Sequence, residues 1–355
     1  MKFYFLNCTF SEHSNQKVIM CHFEYNPLHL NAFKKEFPGA KWSQSKKCWY
    51  VADTSLYRKR LGLEKNEIGS QYETKIQGTN SHAFTLFRNT LHQRAYSPLT
   101  IKTYLGEFAQ LLMELKGHDV NQLSTERLNA YFLYCIKKLK LSENQIHSRI
   151  NAVKGYFKLV LNKPEIIDVV PRPRKGESLP KVLSKEEIKK IFDVTPNLKH
   201  KLMLKLAYGM GLRVSEVVNI KIADIDSNRM QVRIEQAKGK KDRAVNLPKS
   251  ILPELRLYYT EYKPIKYLFE GQFEDKYSIR SVQAVFKRAM IRANINKVIG
   301  IHGLRHSYAT HLLEIGTDMV FIQKLLGHKN IKTTEIYAKI GRQTLGKVQS
   351  PLDDL

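Results

Sequence analysis

No apolar run in the sequence approaches the ~20 residues that cross a bilayer. The N-terminus, MKFYFLNCTFSEHSN, lacks the apolar segment and small-residue cleavage site of a secretory leader, so the chain is expected in the cytoplasm, away from membranes. Cysteine is scarce: Cys8, Cys21, Cys48 and Cys135 form no C-x-x-C pair, and a chain of 355 residues buries enough surface to fold without disulfide staples. They read as reduced thiols; with His13 or His22 the first three match no common zinc-finger spacing. There is no GxxxxGK[ST] loop and no cluster of metal-ligating residues, so the chemistry is expected to need neither ATP, nor a metal, nor another cofactor. No repeat at solenoid periods and no low-complexity tract is present, which excludes array architectures. Acidic residues are in short supply, 33 against 59 lysines and arginines, for a net charge of +26. The apolar fraction, 43%, is that of an ordinary globular protein, so the excess cations decorate folded domains. Their natural partner is a polyanion, and nucleic acid fits because neutralising phosphates releases condensed counterions.

Length alone points to more than one domain, and the pattern divides the chain into three. Residues 1–65 alternate β-like runs (KFYFLNC, QKVIMCHF, and KWSQSKKCWYV with a polar centre suited to a hairpin) with the helical LHLNAFKKEF. This is a small α+β module, in which Lys34, Lys35, Lys41, Lys46 and Lys47 lie among Trp42, Trp49 and Tyr50, a mixture that can grip a nucleic-acid backbone. A polar stretch from Glu64 to Ser81 reads as a linker. Residues 82–165 carry helical patterns: Ser97 and Pro98 start one whose stripe is Ile101, Tyr104, Leu105, Phe108, Leu111 and Leu112, and Glu143–Leu161 turns Ile146, Ile150, Val153 and Phe157 inward. Thr100, Thr103, Arg149 and Lys154 are expected to face outward there, toward DNA phosphates. Pro164, Pro171, Pro173 and Pro180 mark a strap, after which residues 178–355 read as helices with a small antiparallel sheet: Ser184 and Glu187 form a capping box, and RMQVRIEQAKGKKDRAVNL is a hairpin. The fold class is thus mainly α: a helical domain followed by a mixed α/β domain, behind the small α+β module.

The third segment concentrates chemistry. His302 and Arg305 are three residues apart at a helix start, His328 follows the helix-stopping Gly327, and Tyr337 comes shortly after Thr333 and Thr334. Upstream, Arg213 stands at a glycine-flanked bend with Glu216 one turn on, and Lys238 at the hairpin tip. Transesterification of a phosphodiester needs a nucleophile, cations on the nonbridging oxygens and a proton donor for the leaving alkoxide. Tyr337 suits the first need, Arg213 and Arg305 the second with bidentate forks, and Lys238 the third; His302 would exchange the tyrosine proton and His328 hydrogen-bond the phosphate. Lys240, Lys241 and Arg243 on the same hairpin would add DNA contacts. His306 and His311 are expected to serve packing or capping.

GLRVSE, AKGKKDR, HGLRHSYATHLL and LLGHKNIKTTEIYAKI closely resemble the motifs of the tyrosine recombinase, or phage integrase, family. The resemblance is strong over residues 180–345, while residues 82–165 look like the family's core-binding domain by pattern and residues 1–65 match no family motif. It implies that Arg213, Lys238, His302, Arg305 and His328 activate the phosphate, that Tyr337 is the nucleophile and that Glu216 supports them. It further implies double-stranded DNA with specific sites as substrate, a synaptic homo-tetramer, possible DNA-bending accessory proteins, and a C-terminal tail that docks on a neighbouring protomer. An extra N-terminal module, and YAKI where Xer-type enzymes tend to read YTH, favour the integrase of a mobile element or phage over a Xer-type resolvase or invertase. A type IB topoisomerase would share the chemistry, and a silent DNA-binding regulator would bind without forming an adduct.

Overall fold

The structure, a computed structural model, describes residues 6–13, 16–63, 67–173, 180–237, 241–271, 276–328 and 330–338. Contact density groups it into two compact units, Met1–Leu63 with Ser178–Leu355, and Glu64–Glu177.

The first unit begins with β1 (Asn7–His13), β2 (Gln16–His22), α1 (Pro27–Glu36), β3 (Lys41–Ser43), β4 (Cys48–Ala52) and α2 (Ser55–Arg60). The strands form an antiparallel sheet in the order β1-β2-β4-β3. Asn26 caps α1 by accepting from the Leu28 amide at 2.9 Å, with Pro27 preset for the first turn. The alternation of β2 sends Ile19 and Cys21 toward Phe33 of α1, Phe37 just past its end and Tyr57 of α2, all essentially inaccessible. The expected hairpin is present: Trp42 pairs with Trp49 across β3 and β4. Lys34, Lys35, Lys41, Lys46 and Lys47 are exposed, and the Lys34 ammonium lies 4.8 Å from the Trp49 ring centroid.

The second unit holds α3 (Ser70–Glu73), α4 (Thr79–Gln93), α5 (Pro98–Glu114), α6 (Thr125–Lys137), α7 (Glu143–Leu159) and α8 (Glu165–Asp168) around one core that includes Phe87, Leu105, Phe108, Ile150 and Phe157. Ser97 caps α5 as expected. The reading of Glu64–Ser81 as a linker is corrected: Ile68, Tyr72 and Ile76 pack on this core. Asn80, fully buried, donates to the His118 carbonyl at 2.9 Å and accepts from the Val120 amide at 3.0 Å. An apolar residue at every fourth position was the available signal; the polar residues between them masked it.

After residue 180 the first unit resumes with α9 (Lys185–Asp193), α10 (Leu198–Gly209), α11 (Val214–Asn219), β5 (Ile225–Asp226), β6 (Gln231–Ala237), β7 (Lys241–Asn246), α12 (Leu252–Tyr262), α13 (Ile279–Arg292), α14 (His302–Glu314), α15 (Met319–Leu326) and α16 (Lys332–Ala338). The Ser184 and Glu187 capping box and the β6–β7 hairpin are both found. Leu202, Met203 and Leu206 of α10 pack with Val217, Val232, Phe286 and Leu304 in a core separate from that of the N-terminal sheet.

Candidate active site

The α10–α11 bend sets the floor of the site. Gly211 has φ +59°, and a Cβ there would stand 2.4 Å from the Tyr308 ring, so only glycine lets the chain turn this close to α14. Arg213 caps α11: its amide donates to Glu216 Oε2 at 2.9 Å and its Nη1 to Oε1 at 2.8 Å. Arg243 of β7 grips the same carboxylate as a fork, at 2.9 and 2.8 Å, and the Arg305 Nη1 lies 3.7 Å away. Burial by itself would raise the Glu216 carboxyl, but the hydrogen bonds and charge of Arg243, with the Arg213 amide and the Arg305 charge, hold it at about 2.

Arg305, on the inner face of α14, is wholly buried. It donates to the Gly211 carbonyl at 2.7 Å, to the Leu326 carbonyl at 2.5 Å and to His328 Nε2 at 3.1 Å. Its buried Nε has no partner among the described residues. Burial, then the Arg213 charge, lowers it to about 10, still a cation at neutral pH. Gly327, at φ +64°, ends α15 and delivers His328. An arginine can only donate, so His328 Nε2 accepts and its Nδ1 donates to Thr334 Oγ1, 3.0 Å away. Tyr337 on α16 is 1% exposed; its ring stacks on His328 at 6.4 Å, and its phenol lies 3.0 Å from His306 Nδ1. Burial raises the phenol while Arg305 and Arg213 pull it back.

Burial, reinforced by neighbouring cations and imidazole, lowers His306 and His328 from 6.5 to about 4. The unfolded chain therefore binds more protons than the folded one between these values. The associated stability is full above pH 6.5 and is lost as pH falls toward 4, each histidine contributing at most about 3 kcal/mol. The melting temperature of the DNA-free protein should decline across this window, and a flat profile would contradict the buried neutral imidazoles.

Arg213, His302, Arg305, His328 and Tyr337 thus belong to one folded unit, with His328 bonded to Arg305 on one side and stacked on Tyr337 on the other. His302 keeps an exposed edge, and desolvation of the rest of the ring, then Arg305 and Arg213, lowers its pKa. The phenol's partner is not His302 but His306, for which packing or capping had been expected; this corrects the sequence reading, whose available signal was the four-residue spacing that puts both rings on one face. His311 bonds Tyr208 at 2.9 Å, a packing role. Arg243, expected on DNA, has a side chain 10% exposed and committed to Glu216 and the Leu325 carbonyl. Arg149, expected to face outward, is 9% exposed and bonds Glu107 at 2.8 Å, because its neighbours Ile146, Ile150 and Val153 draw that side of α7 into the core. Lys154 is half-buried and pairs with Asp168. The Thr100 hydroxyl shares a hydrogen bond with the capping Ser97 hydroxyl at 2.8 Å, and that of Thr103 donates to the Leu99 carbonyl at 3.0 Å. Lys238, Lys240, the Lys241 side chain and the tail from residue 339 lie outside the described residues.

Known proteins decide what kind of chain carries this site. The profile of the phage integrase family matches residues 181–343, and that of the phage integrase N-terminal SAM-like domain residues 84–166. Tyrosine recombinase XerA of Thermococcus kodakarensis is 36% identical over 269 residues, covering 74% of this chain and 92% of its own. The chain belongs to the phage integrase family. Tyrosine recombinase XerA of Thermococcus onnurineus is similar to this family member at 37% identity over 290 residues, 80% of this chain and 94% of its own. Among solved structures, XerH recombinase bound to palindromic difH substrate superimposes with TM-score 0.61 at 20% identity, covering 79% of this integrase-family chain and 93% of its own. A lambda integrase dimer bound to a COC′ core site gives 0.61 at 19% identity, covering 72% and 94%. These two likenesses concern the fold. Neither family profile reaches residues 1–83. No helix among the described residues is long and apolar enough to cross a membrane.

Proposed function

We propose that this tyrosine recombinase cuts and rejoins specific double-stranded DNA sites through a 3′-phosphotyrosine at Tyr337, and that it serves a mobile element or phage as its integrase. The observation that carries the chemistry is the convergence of the Tyr337 phenol, two histidines and two arginines anchored on Glu216. A bound phosphodiester would take Arg213 and the Arg305 Nη2 now spent on His328, and His328 would become a further donor once its freed Nε2 carries a proton. Lys238 would protonate the leaving 5′ oxygen. No cofactor enters these steps. Strand exchange would take place in a homo-tetramer on DNA in the cytoplasm, with DNA-bending proteins as possible helpers. A housekeeping Xer-type resolvase is the second reading, favoured by the XerA relatives.

Incubation with nicked suicide substrates drawn from the flanks of its own gene, followed by denaturing gels, tests the proposal. A protein–DNA adduct should form with the wild type and not with Tyr337→Phe; tight binding without an adduct would instead leave a silent DNA-binding protein. Adducts formed on chromosomal resolution sites and not on the flanks would favour the second reading.

The N-terminal module would bind DNA outside the exchange site through its exposed lysines and the half-exposed Trp42. Deleting residues 1–63 should weaken binding to long flanking DNA by at least about tenfold and flatten its salt dependence, as expected when several phosphate contacts are lost. Unchanged affinity and salt slope would assign the module another role.

A further inference from the structure

His306 is the side chain closest to the nucleophile that the roles above leave idle. It lies one turn beyond His302 on α14, yet its contact crosses to another helix: Nδ1 stands 3.0 Å from the Tyr337 hydroxyl of α16, with ring centroids 5.6 Å apart. The His302 ring packs edge-on against it at 4.6 Å. The charged and titratable groups around the pair are His302 and Arg305 on α14, Arg213 at the start of α11, and His328, which stacks on the other side of Tyr337.

We propose that His306 is a catalytic residue of strand transfer, its Nδ1 accepting the Tyr337 phenol proton as the phosphotyrosine bond forms and returning it when that bond breaks. The inference rests on the strand-transfer reading. In cleavage the bond between the Tyr337 oxygen and phosphorus forms, the bond from phosphorus to the 5′ oxygen breaks, the phenol proton moves to His306, and the leaving oxygen takes its proton from a separate ammonium or water donor. In rejoining, the 5′ hydroxyl attacks phosphorus and gives up its proton to that donor's conjugate base, while the His306 imidazolium reprotonates the departing Tyr337.

Two features suit His306 to this. An Nδ1 that accepts requires the neutral tautomer with hydrogen on Nε2, and burial with the His302 and Arg305 neighbours lowers its pKa to about 4, so the neutral form prevails at physiological pH. A phosphodiester docked between Arg213 and Arg305 would offset those cations and raise the imidazole toward neutrality, where proton exchange is most efficient. The acceptor therefore strengthens when substrate is present.

The test measures single-turnover adduct formation by the full chain on saturating suicide substrate, across pH, for wild type, His306→Gln and His306→Ala. Glutamine keeps an oxygen that can accept a hydrogen bond from the phenol but cannot take its proton near neutral pH. Both variants should therefore be slower by about 100-fold or more, with DNA affinity within about twofold. Their rates should climb with pH where the wild type levels off, and added imidazole should restore His306→Ala. A substrate with sulfur at the 5′ bridging position, which leaves without a proton, should not restore either. His306→Gln at the wild-type rate, or rescue by the sulfur substrate, would overturn the proposal. Failure of the strand-transfer reading would look different: the wild type itself would form no adduct, or Tyr337→Phe would form one.

Discussion

Arg305→Lys should slow adduct formation by about a thousandfold while leaving DNA affinity within a few-fold, since removing one transition-state donor costs about 100- to 1000-fold and a single phosphate contact is a small part of total binding. Lysine keeps the charge but not the geometry. The guanidinium reaches the Gly211 and Leu326 carbonyls and His328 at once, from a wholly buried position, and a point ammonium cannot hold all three. At least one buried carbonyl loses its donor, at a cost of about 1–3 kcal/mol, so the melting temperature should fall as well. Single-turnover cleavage and thermal melts on the same preparation separate the two effects. Wild-type cleavage by a destabilised Arg305→Lys would reduce this arginine to a structural clasp.

Glu216→Gln should cost about 3–5 kcal/mol of unfolding free energy, the range for breaking a buried ion pair by removing one partner. Glutamine fills the space and accepts one hydrogen bond, but Arg213, Arg243 and Arg305 then share a buried pocket with no anion. The sign with pH follows. Glu216 is held at about 2 against an ordinary 4.5, so its contribution is full above pH 4.5 and lost as pH falls toward 2. That acid limb should be missing from the variant. Combining Glu216→Gln with Arg243→Met should cost less than the sum of the single changes, because the second removes a cation that the first left unpaired. Additive denaturant midpoints would mean that the two side chains do not act on each other.

The candidate site residues stood out in the sequence because each requirement of the proposed reaction selects a distinctive residue type and because those residues sit at helix starts and stops the sequence marks clearly: Arg213 after Gly211, His328 after Gly327. Less legible was which cations are spent internally. Arg149 and Arg243 read as DNA contacts because charge was taken to mean exposure, yet each has a carboxylate partner distant in sequence, Glu107 and Glu216. Sequence spacing cannot reveal such pairs, since they form across helices and strands that only tertiary packing brings together. His306 was discounted for the same reason: its partner Tyr337 is 31 residues away, on another helix. The stretch from Glu64 to Ser81 shows the opposite failure, where average polarity hid a regular apolar stripe.

The central claim, that Tyr337 carries the DNA, is tested most directly by digesting the trapped adduct with trypsin and nuclease and sequencing the modified peptide by mass spectrometry. Cleavage after Lys332 and Lys339 isolates TTEIYAK, in which Tyr337 is the only tyrosine. A 3′-nucleotide on that peptide is the expected result. The same mass on a peptide containing any other of the chain's 18 tyrosines, with TTEIYAK recovered unmodified, would contradict the account.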